Sequence, residues 1–324
     1  MAQLGQVNQS RGIRHKAWPL PLGFFRDVRK NAWLYLLALP GIIFLIVFSY
    51  VPMAGHVLAF KNYRISQGIW GSAWAGFKNF RFFFGGVNWL PVTRNTLMLN
   101  GLFITAGLGT AIVISLLLNE IRQRTFKKLS QSIIFLPYFV SWMVVSFIVY
   151  ALLNTKDGTI NRMLIALGRP PISWYSSAEY WPTILTIINL WKNAGYNSVI
   201  LLAAIAGISG EYYESALIDG ATRFQQMRLI TLPLIRTTIL VLLLLALGRI
   251  FYGDFGMIYG IVGDNTPLLA TTDVIDTYSY RALRNLANFS MSSAVVLYQS
   301  VMGLIVVVVF NAIVHRVDES ARLF

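Results

Sequence analysis

Long stretches without a charged side chain divide this sequence of 324 residues. Four of them, of 30, 25, 27 and 31 residues, contain no Asp, Glu, Lys or Arg. A helix needs about 20 predominantly apolar residues to cross the hydrocarbon core of a membrane. The pattern therefore predicts an all-α, polytopic membrane protein. Its six predicted transmembrane helices cover residues 33–54, 96–119, 131–153, 180–208, 237–260 and 289–314.

Composition narrows the class of protein further. Charged residues make up 12% of the chain and apolar types 56%, whereas soluble domains contain about 25% charged residues. This composition excludes a soluble protein and a disordered tail. A formal net charge of +14 would suggest nucleic acid as the partner of a soluble protein. In a membrane protein, basic residues anchor the cytoplasmic loops instead, so no nucleic-acid partner is expected.

The distribution of Lys and Arg predicts the orientation. If the N-terminus is cytoplasmic, the inner segments hold fifteen of these residues and the outer segments hold ten. Because cytoplasmic loops carry the excess of basic residues, both termini are predicted to be cytoplasmic. The inner segments are then 1–32, 120–130, 209–236 and the tail after 314, and the outer segments are 55–95, 154–179 and 261–288.

The spans divide the chain into parts with different expected roles. In the N-terminal part, residues 18–32 are predicted to form an amphipathic helix on the membrane surface. The first outer loop is rich in aromatic side chains, which either dock an external partner or form a belt at the membrane interface. The parts are a cytoplasmic segment (1–32), a first transmembrane helix with a periplasmic loop (33–95), a core of five transmembrane helices (96–314) and a cytoplasmic tail (315–324).

The cytoplasmic loop 209–236 contains signals for two short helices. Ser209 can cap a helix that ends at Gly220. Thr222 offers a second cap, and Gln225 three residues later completes a capping box. This second helix is predicted to stop before Pro233. A loop that only reverses the chain does not need two capped helices, so we expect this one to contact another molecule.

The spacing of residues in this loop resembles the EAA loop of ABC importer permeases. The family pattern is E-A-A, three residues, G, nine residues and I-x-L-P. Here the matching positions have the same spacing, and the one departure is a serine, small enough for close packing, in place of the first alanine. The matching residues are Glu214, Ser215, Ala216, Gly220, Ile230, Leu232 and Pro233.

The resemblance implies a type I ABC importer permease fold with a coupling helix around Glu214. In such permeases this helix is seated in a groove of a separate ATP-hydrolysing subunit. Glu214 would pair with basic groups there, Ala216 and Gly220 would allow close approach, and Pro233 would fix the return into the membrane. The chain contains no G-x-x-x-x-G-K-[ST] motif, so it is not expected to be an enzyme, and ATP and Mg²⁺ would bind the partner ATPase.

Three further stretches resemble the permeases of carbohydrate importers. The resemblance covers residues 30–315 and implies a bacterial inner-membrane protein that imports an oligosaccharide or polysaccharide, with alginate or another acidic glycan as the specific expectation. It also implies a second related permease, two copies of an ATP-binding subunit and a periplasmic solute-binding protein. The stretches are Leu190–Asn197, Asp254–Gly256 and Asp273–Arg281.

Charged residues inside the predicted spans are candidates for the substrate pathway. Lys192 and Arg249 each lie thirteen residues into a span, and Asp254 follows Arg249. Such residues generally face a bundle interior or a water-filled cavity. They either line a pathway for a polar or anionic sugar, or form ion pairs with Asp254 or with the second permease. The candidates for additional hydrogen bonds to the substrate are Asn189, Asn193, Tyr252 and Gln299.

Other functions remain as alternatives. An ion-coupled secondary transporter would have its sites at discontinuous helices in inverted repeats, and no inversion is visible in the sequence. A membrane receptor or scaffold without transport is the other alternative. His15, His56 and His315 lie far apart, so no metal site and no cofactor are expected on this chain.

Overall fold

The computed structural model describes residues 27–317, without the side chains of residues 315 and 317. Most of the predicted interfacial helix 18–32 and of the tail 315–324 lies outside the described residues. Helices dominate, which confirms the all-α prediction. Two strands of two residues each, β1 (Lys61–Asn62) and β2 (Ala73–Trp74), pair in antiparallel fashion with Lys61 opposite Trp74.

The chain forms two compact units that meet in sequence at Gly55 and His56. In the first unit, helix α1 (Ala32–Leu45) continues through a π turn at Ile46–Tyr50 and a short helix at Val51–Met53. Almost all of its side chains are apolar, and none is buried. A helix that is apolar on every side is typical of a membrane span.

The second unit contains the remaining helices. Its longer helices are α2 (Trp89–Glu120), α3 (Arg124–Phe135), α4 (Trp142–Leu153), α5 (Trp181–Ala206), α6 (Gly210–Ile218), α7 (Arg236–Leu247), α8 (Phe255–Val262), α9 (Ile275–Leu286) and α10 (Phe289–Val317). The helical segment Ala54–Phe60 contains the boundary between the two units in sequence. The shorter helical segments of the second unit are Ile65–Gln67, Gly68–Gly71, Lys78–Phe84, Leu136–Phe139, Thr159–Ala166, Trp174–Ser176, Ala178–Tyr180, Arg223–Gln226, Met227–Thr231, Leu232–Leu234, Thr266–Leu268 and Leu269–Thr272.

Helix α5 packs along α2 and crosses α3 at a glycine. A Cβ atom at Gly195 would lie 2.9 Å from Phe135 Cα and closer still to the carbonyl of Ile134. Small residues at such crossings let helix backbones approach each other, which is how helices pack in a membrane. Apolar side chains from α2, α4, α5 and α8 form the largest buried cluster, which includes Leu99, Val149, Trp181, Leu185 and Met257.

Two of the predicted spans are not continuous helices. The third, 131–153, bends by 96° where Leu136–Phe139 separates α3 from α4. The fifth, 237–260, is interrupted at residues 248–254 between α7 and α8. Proline at position 137 and glycines at 248 and 253 favour breaks at these places, because they interrupt the helical hydrogen bonds or weaken the helix.

The number of spans remains a prediction. Three helical segments are long and apolar enough to cross a membrane, and the count rises to five if two bent pairs each count as one. Helix α5, the predicted fourth span, is not among them and carries four strongly polar residues in its middle. The three segments are Ala32–Phe60, Trp89–Glu120 and Phe289–Val314, and the bent pairs are Arg124–Phe139 with Trp142–Leu153 and Arg223–Leu234 with Arg236–Leu247.

Candidate functional site

A cavity of about 370 Å³ lies between α2, α5 and α7. Asn189, Asn193 and Asn197 line it from one face of α5, because residues four apart on a helix share a face. Arg249, just after the end of α7, lines the same cavity. Apolar walls come from α2, where Phe103 is among the lining residues. The cavity therefore offers several amide groups and one guanidinium group between apolar surfaces.

Aromatic rings border this central cavity. Tyr138 and Tyr196 both line it and are stacked, with ring centroids 4.6 Å apart and an interplanar angle of 11°. Phe135 stacks on Tyr196 from α3, at 6.3 Å. Binding sites for small molecules commonly combine apolar and aromatic walls with a few placed polar groups. The arrangement suits a ligand that has both flat apolar faces and hydroxyl groups.

Lys192 points away from the central cavity, toward the bend between α3 and α4. Its side chain is buried, and Nζ donates hydrogen bonds to the carbonyl oxygens of Tyr138 (2.7 Å), Pro137 (3.4 Å) and Val140. Nζ also lies 5.0 Å from the ring centroid of Trp142. A break in a membrane helix frees carbonyl groups that neighbouring side chains must satisfy. Lys192 meets this requirement for the bend.

Asp254 and Tyr252 hold the interrupted segment between α7 and α8. The Asp254 carboxylate caps α8 and accepts a hydrogen bond from the backbone N–H of Met257 at 3.0 Å. Tyr252 donates its hydroxyl hydrogen to Ser300 Oγ at 3.1 Å. Within residues 27–317, no ion pair joins Asp254 to Lys192 or Arg249.

Gln299 and Asp276 form a buried contact with the same segment. Gln299 Nε2 donates to the carbonyl of Phe251 at 2.8 Å and to Asp276 Oδ2 at 2.9 Å. The same carboxylate oxygen accepts a hydrogen bond from the backbone N–H of Gly253 at 2.6 Å. Burial raises the pKa of the Asp276 carboxyl group, and the hydrogen bonds that it accepts from Gly253 and Gln299 act against that rise.

Three of the seven pathway candidates thus share the central cavity, namely Asn189, Asn193 and Arg249, and the other four contact the two helix breaks. Asn197 was not among the predicted pathway residues, although its position four residues after Asn193 was an available signal. Nor was Asn100, which donates to the carbonyls of Ile250 (2.9 Å) and Tyr252 (3.1 Å) across the second break. No local pattern marks Asn100, because its role depends on how α2 packs.

The loop between α5 and α7 begins as its sequence predicts. The Ser209 side chain caps α6, and Gly220 follows this helix with a positive φ of 81°, which suits glycine. The capping box between Thr222 and Gln225 is present. The predicted stop before Pro233 is wrong. Helical backbone continues through a π turn at residues 227–231 and through Pro233, and the chain bends by 58° before α7.

Helix α6 presents most of its surface to the exterior of the chain. Glu214 and Ser215 are exposed, Ala216 is half-buried, and no residue of α6 is buried. The Tyr213 hydroxyl group lies 2.9 Å from Thr231 Oγ1 and ties α6 to the π turn. Of the other motif positions, Gly220 and Pro233 are exposed, and Ile230 and Leu232 are half-buried.

Apolar side chains accompany the acidic groups on α6. Tyr212, Leu217 and Ile218 are 57%, 51% and 87% exposed. An exposed surface that combines large apolar side chains with charges is typical of a protein–protein contact. Among the described residues, no group of three or more His, Asp or Glu side chains is arranged to hold a metal ion.

Comparisons with known proteins agree with these features. Residues 104–319 match the family described as binding-protein-dependent transport system inner membrane component. Protein LplB of Bacillus subtilis (strain 168) is 36% identical to the chain, over 92% of this chain and 93% of that protein. The polygalacturonan/rhamnogalacturonan transport system permease protein YteP of the same organism is also 36% identical, over 90% of each chain.

Solved structures show a similar fold. A chain in the crystal structure of a bacterial ABC transporter involved in the import of the acidic polysaccharide alginate has a TM-score of 0.82 and 34% identity. The match covers 91% of this chain and 99% of that one. A second structure of a bacterial alginate ABC transporter, in complex with an alginate pentasaccharide-bound periplasmic protein, matches with the same TM-score and identity.

Proposed function

We propose that this chain, which belongs to the family of inner membrane components of binding-protein-dependent transport systems, is the permease that carries an acidic oligosaccharide across the membrane. The observation that carries the proposal is the central cavity, in which Asn189, Asn193, Asn197 and Arg249 converge. Amide groups can both donate to and accept from sugar hydroxyl groups. A guanidinium group matches the geometry of a carboxylate.

Relatives support this choice of substrate class. Two similar proteins act on acidic glycans, since one carries polygalacturonan or rhamnogalacturonan and the other belongs to an alginate importer. A uronic acid would give the Arg249 guanidinium a charged partner, which a neutral sugar does not supply. We therefore assign uronic acid oligosaccharides as the substrate class.

In this proposal, α6 is the contact with a separate ATPase. Its exposed Glu214 would pair with basic groups of that subunit, while Leu217 and Ile218 would fill an apolar groove. ATP and Mg²⁺ would bind there, and this chain would supply no catalytic residue. The complete transporter would contain a second related permease, two ATPase copies and a periplasmic solute-binding protein.

Transport would proceed by alternating access. A partner can shift a conformational equilibrium only if it binds the two states with different affinity. Here the ATPase at α6 and the loaded binding protein on the outer side would provide those differences. The substrate would move through the cavity as the helices around it change from outward-open to inward-open.

Uptake by the reconstituted transporter tests the substrate pathway. We expect Arg249→Gln to lower the rate of uptake of a galacturonate trimer at least tenfold, because the carboxylate loses its charged partner. Arg236→Gln is the matched control, since Arg236 is exposed at the start of α7 and does not line the cavity. Both variants should retain the ATPase subunits on purification.

Two outcomes contradict the proposal. Equal uptake of the trimer by Arg249→Gln and the native protein would remove Arg249 from the pathway. Uptake by this chain alone, driven by a proton or sodium gradient without ATP, would favour the ion-coupled secondary transporter instead.

A further inference from the structure

A second cavity, larger than the central one, lies at the opposite end of α2 from the loop 209–236. It measures about 670 Å³ and is formed by the start of α2 together with α9. The other end of α2 reaches Glu120, whose carboxylate is 3.9 Å from Arg223 of the loop. With a rise of 1.5 Å per residue, Asn95 in this outer cavity lies about 18 Å along α2 from Gly107 in the central cavity. The two cavities are therefore separate sites on one helix.

The outer cavity contains a buried acceptor without a partner. Asn95 is completely buried, and its Nδ2 donates a hydrogen bond to the carbonyl of Ala270 at 3.0 Å. Its Oδ1 has no hydrogen-bond partner. Buried polar atoms nearly always have partners, so an orphaned one in a cavity points to a ligand that supplies a donor.

A buried donor without a partner lines the same cavity. Arg281 of α9 forms an ion pair with Asp273, whose Oδ1 also accepts a hydrogen bond from Thr277 at 2.7 Å. Nη1 of Arg281 is buried and has no hydrogen-bond partner. Asp273 therefore leaves part of the guanidinium fork available. Arg94 also lines this cavity and adds a second positive charge at its exposed edge.

We propose that the outer cavity binds one uronate unit of the transported oligosaccharide, with its carboxylate on Arg281 and a ring hydroxyl group on Asn95. The proposal rests on the substrate class assigned above. A uronate supplies both an acceptor and a donor within one sugar ring, which matches the two unpartnered atoms. An Asp or Glu side chain of a docked protein would supply only the acceptor and would leave Asn95 Oδ1 unsatisfied.

The outer cavity would be a second binding site on the substrate pathway, reached before the central cavity. Asn95 and Phe103, the nearest lining residues of the two cavities on α2, lie about 12 Å apart along the helix, so a long oligosaccharide can reach both cavities. A long oligosaccharide can then pass from the outer to the central cavity without being released into the surrounding water.

Calorimetric titration of the complete transporter, without binding protein and without ATP, tests this site directly. The ligands are a galacturonate trimer and its carboxyl-reduced, neutral counterpart. Arg281→Lys keeps the charge opposite Asp273 but loses the planar fork of donors. We expect this variant to weaken trimer binding at the outer cavity at least tenfold while Arg249→Gln weakens a second, independent site. Binding of the neutral trimer should be the same in Arg281→Lys and the native protein.

The matched control is Arg284→Lys, three residues further along α9. Arg284 is exposed, pairs with Asp264 at 3.7 Å, and does not line the outer cavity. This control should bind the galacturonate trimer as the native protein does. Arg94→Gln alters only the exposed edge of the cavity, so it provides a second variant that does not disturb the buried ion pair; we expect it to weaken trimer binding severalfold.

The possible results separate this inference from the proposed function. If Arg249→Gln abolishes all trimer binding, and Arg281→Lys and Arg94→Gln bind normally, the outer site is wrong and the central site stands. If the native transporter binds no galacturonate trimer, both proposals fail. If Arg281→Lys binds the trimer normally but has a lower affinity for the solute-binding protein in a separate titration with that protein, the cavity is a protein contact and the inference is overturned.

Discussion

Lys192 and Arg249 have the same charge and the same position within a predicted span, but they have different roles in the structure. Each lies thirteen residues into a predicted span, and sequence alone left both as either pathway residues or members of ion pairs. In the structure, Lys192 satisfies carbonyl groups at a helix break, and Arg249 lines the central cavity. The difference arises because Lys192 of α5 faces the carbonyl groups of the bend after α3, whereas Arg249 after α7 faces the cavity, and only tertiary packing decides which groups each side chain meets.

We expect Lys192→Met to lower the stability of the folded protein more than it lowers the ability of the folded protein to bind and transport substrate. Methionine fills similar space but leaves the carbonyl groups of Pro137, Tyr138 and Val140 without a donor, at a cost of about 2–4 kcal/mol. The melting temperature of the purified permease complex should fall by several degrees. Arg249→Met is the matched control, for which the melting temperature should hold while uptake falls. An unchanged melting temperature for Lys192→Met would show that the bend does not depend on this side chain.

At the scale of helices, features that depend on neighbouring residues were predictable and features that depend on distant ones were not. Ser209, Gly220 and the Thr222–Gln225 capping box mark helix ends in the loop through contacts of two to five residues. The bend after α3 needs Lys192, which is more than fifty residues away in sequence. Asn189, Asn193 and Arg249 could be predicted because they are polar residues within apolar stretches of sequence. The stacking of Tyr138 on Tyr196 could not, because it joins residues that are distant in sequence.

The coupling role proposed for α6 predicts an effect of charge at one position of that helix. Glu214→Lys should reduce the amount of ATPase subunit that co-purifies with the permease at least tenfold, because it places a cation against basic groups. Glu211→Lys, also exposed on α6 but outside the motif, should retain most of the ATPase. Folding of both variants is monitored by the yield of monodisperse permease. Equal loss of ATPase in the two variants would indicate a general charge effect rather than a specific contact.

On the scale of the whole molecule, the two helix breaks have two consequences. They contribute residues to the central cavity, and they affect which segments of the chain cross the membrane. The break after α3 contains Tyr138, and the break after α7 contains Arg249, and both residues line the central cavity. Irregular backbone at membrane depth occurs where it is enclosed in protein or lines a cavity. Neither α3 nor α4 is long enough to cross the membrane by itself, so this part of the chain crosses only if the bent pair α3–α4 counts as one span. This condition decides between an outer and an inner position for residues 154–179.

Single cysteines can establish which side each loop occupies, because the native chain contains none. Thr125, Asp157 and Ser215 are exposed in three different segments between the predicted spans. With six spans and cytoplasmic termini, a membrane-impermeant maleimide should label Asp157→Cys in intact cells. It should label Thr125→Cys only in inside-out vesicles, and Ser215→Cys only in inside-out vesicles stripped of the ATPase, which would otherwise cover α6. The native chain, treated in the same way, measures background labelling. If Asp157→Cys and Thr125→Cys react from the same side, then α3 and α4 do not cross the membrane together. Labelling of both from the inner side would move residues 154–179 inside, and labelling of both from the outer side would move the segment that contains Thr125 outside.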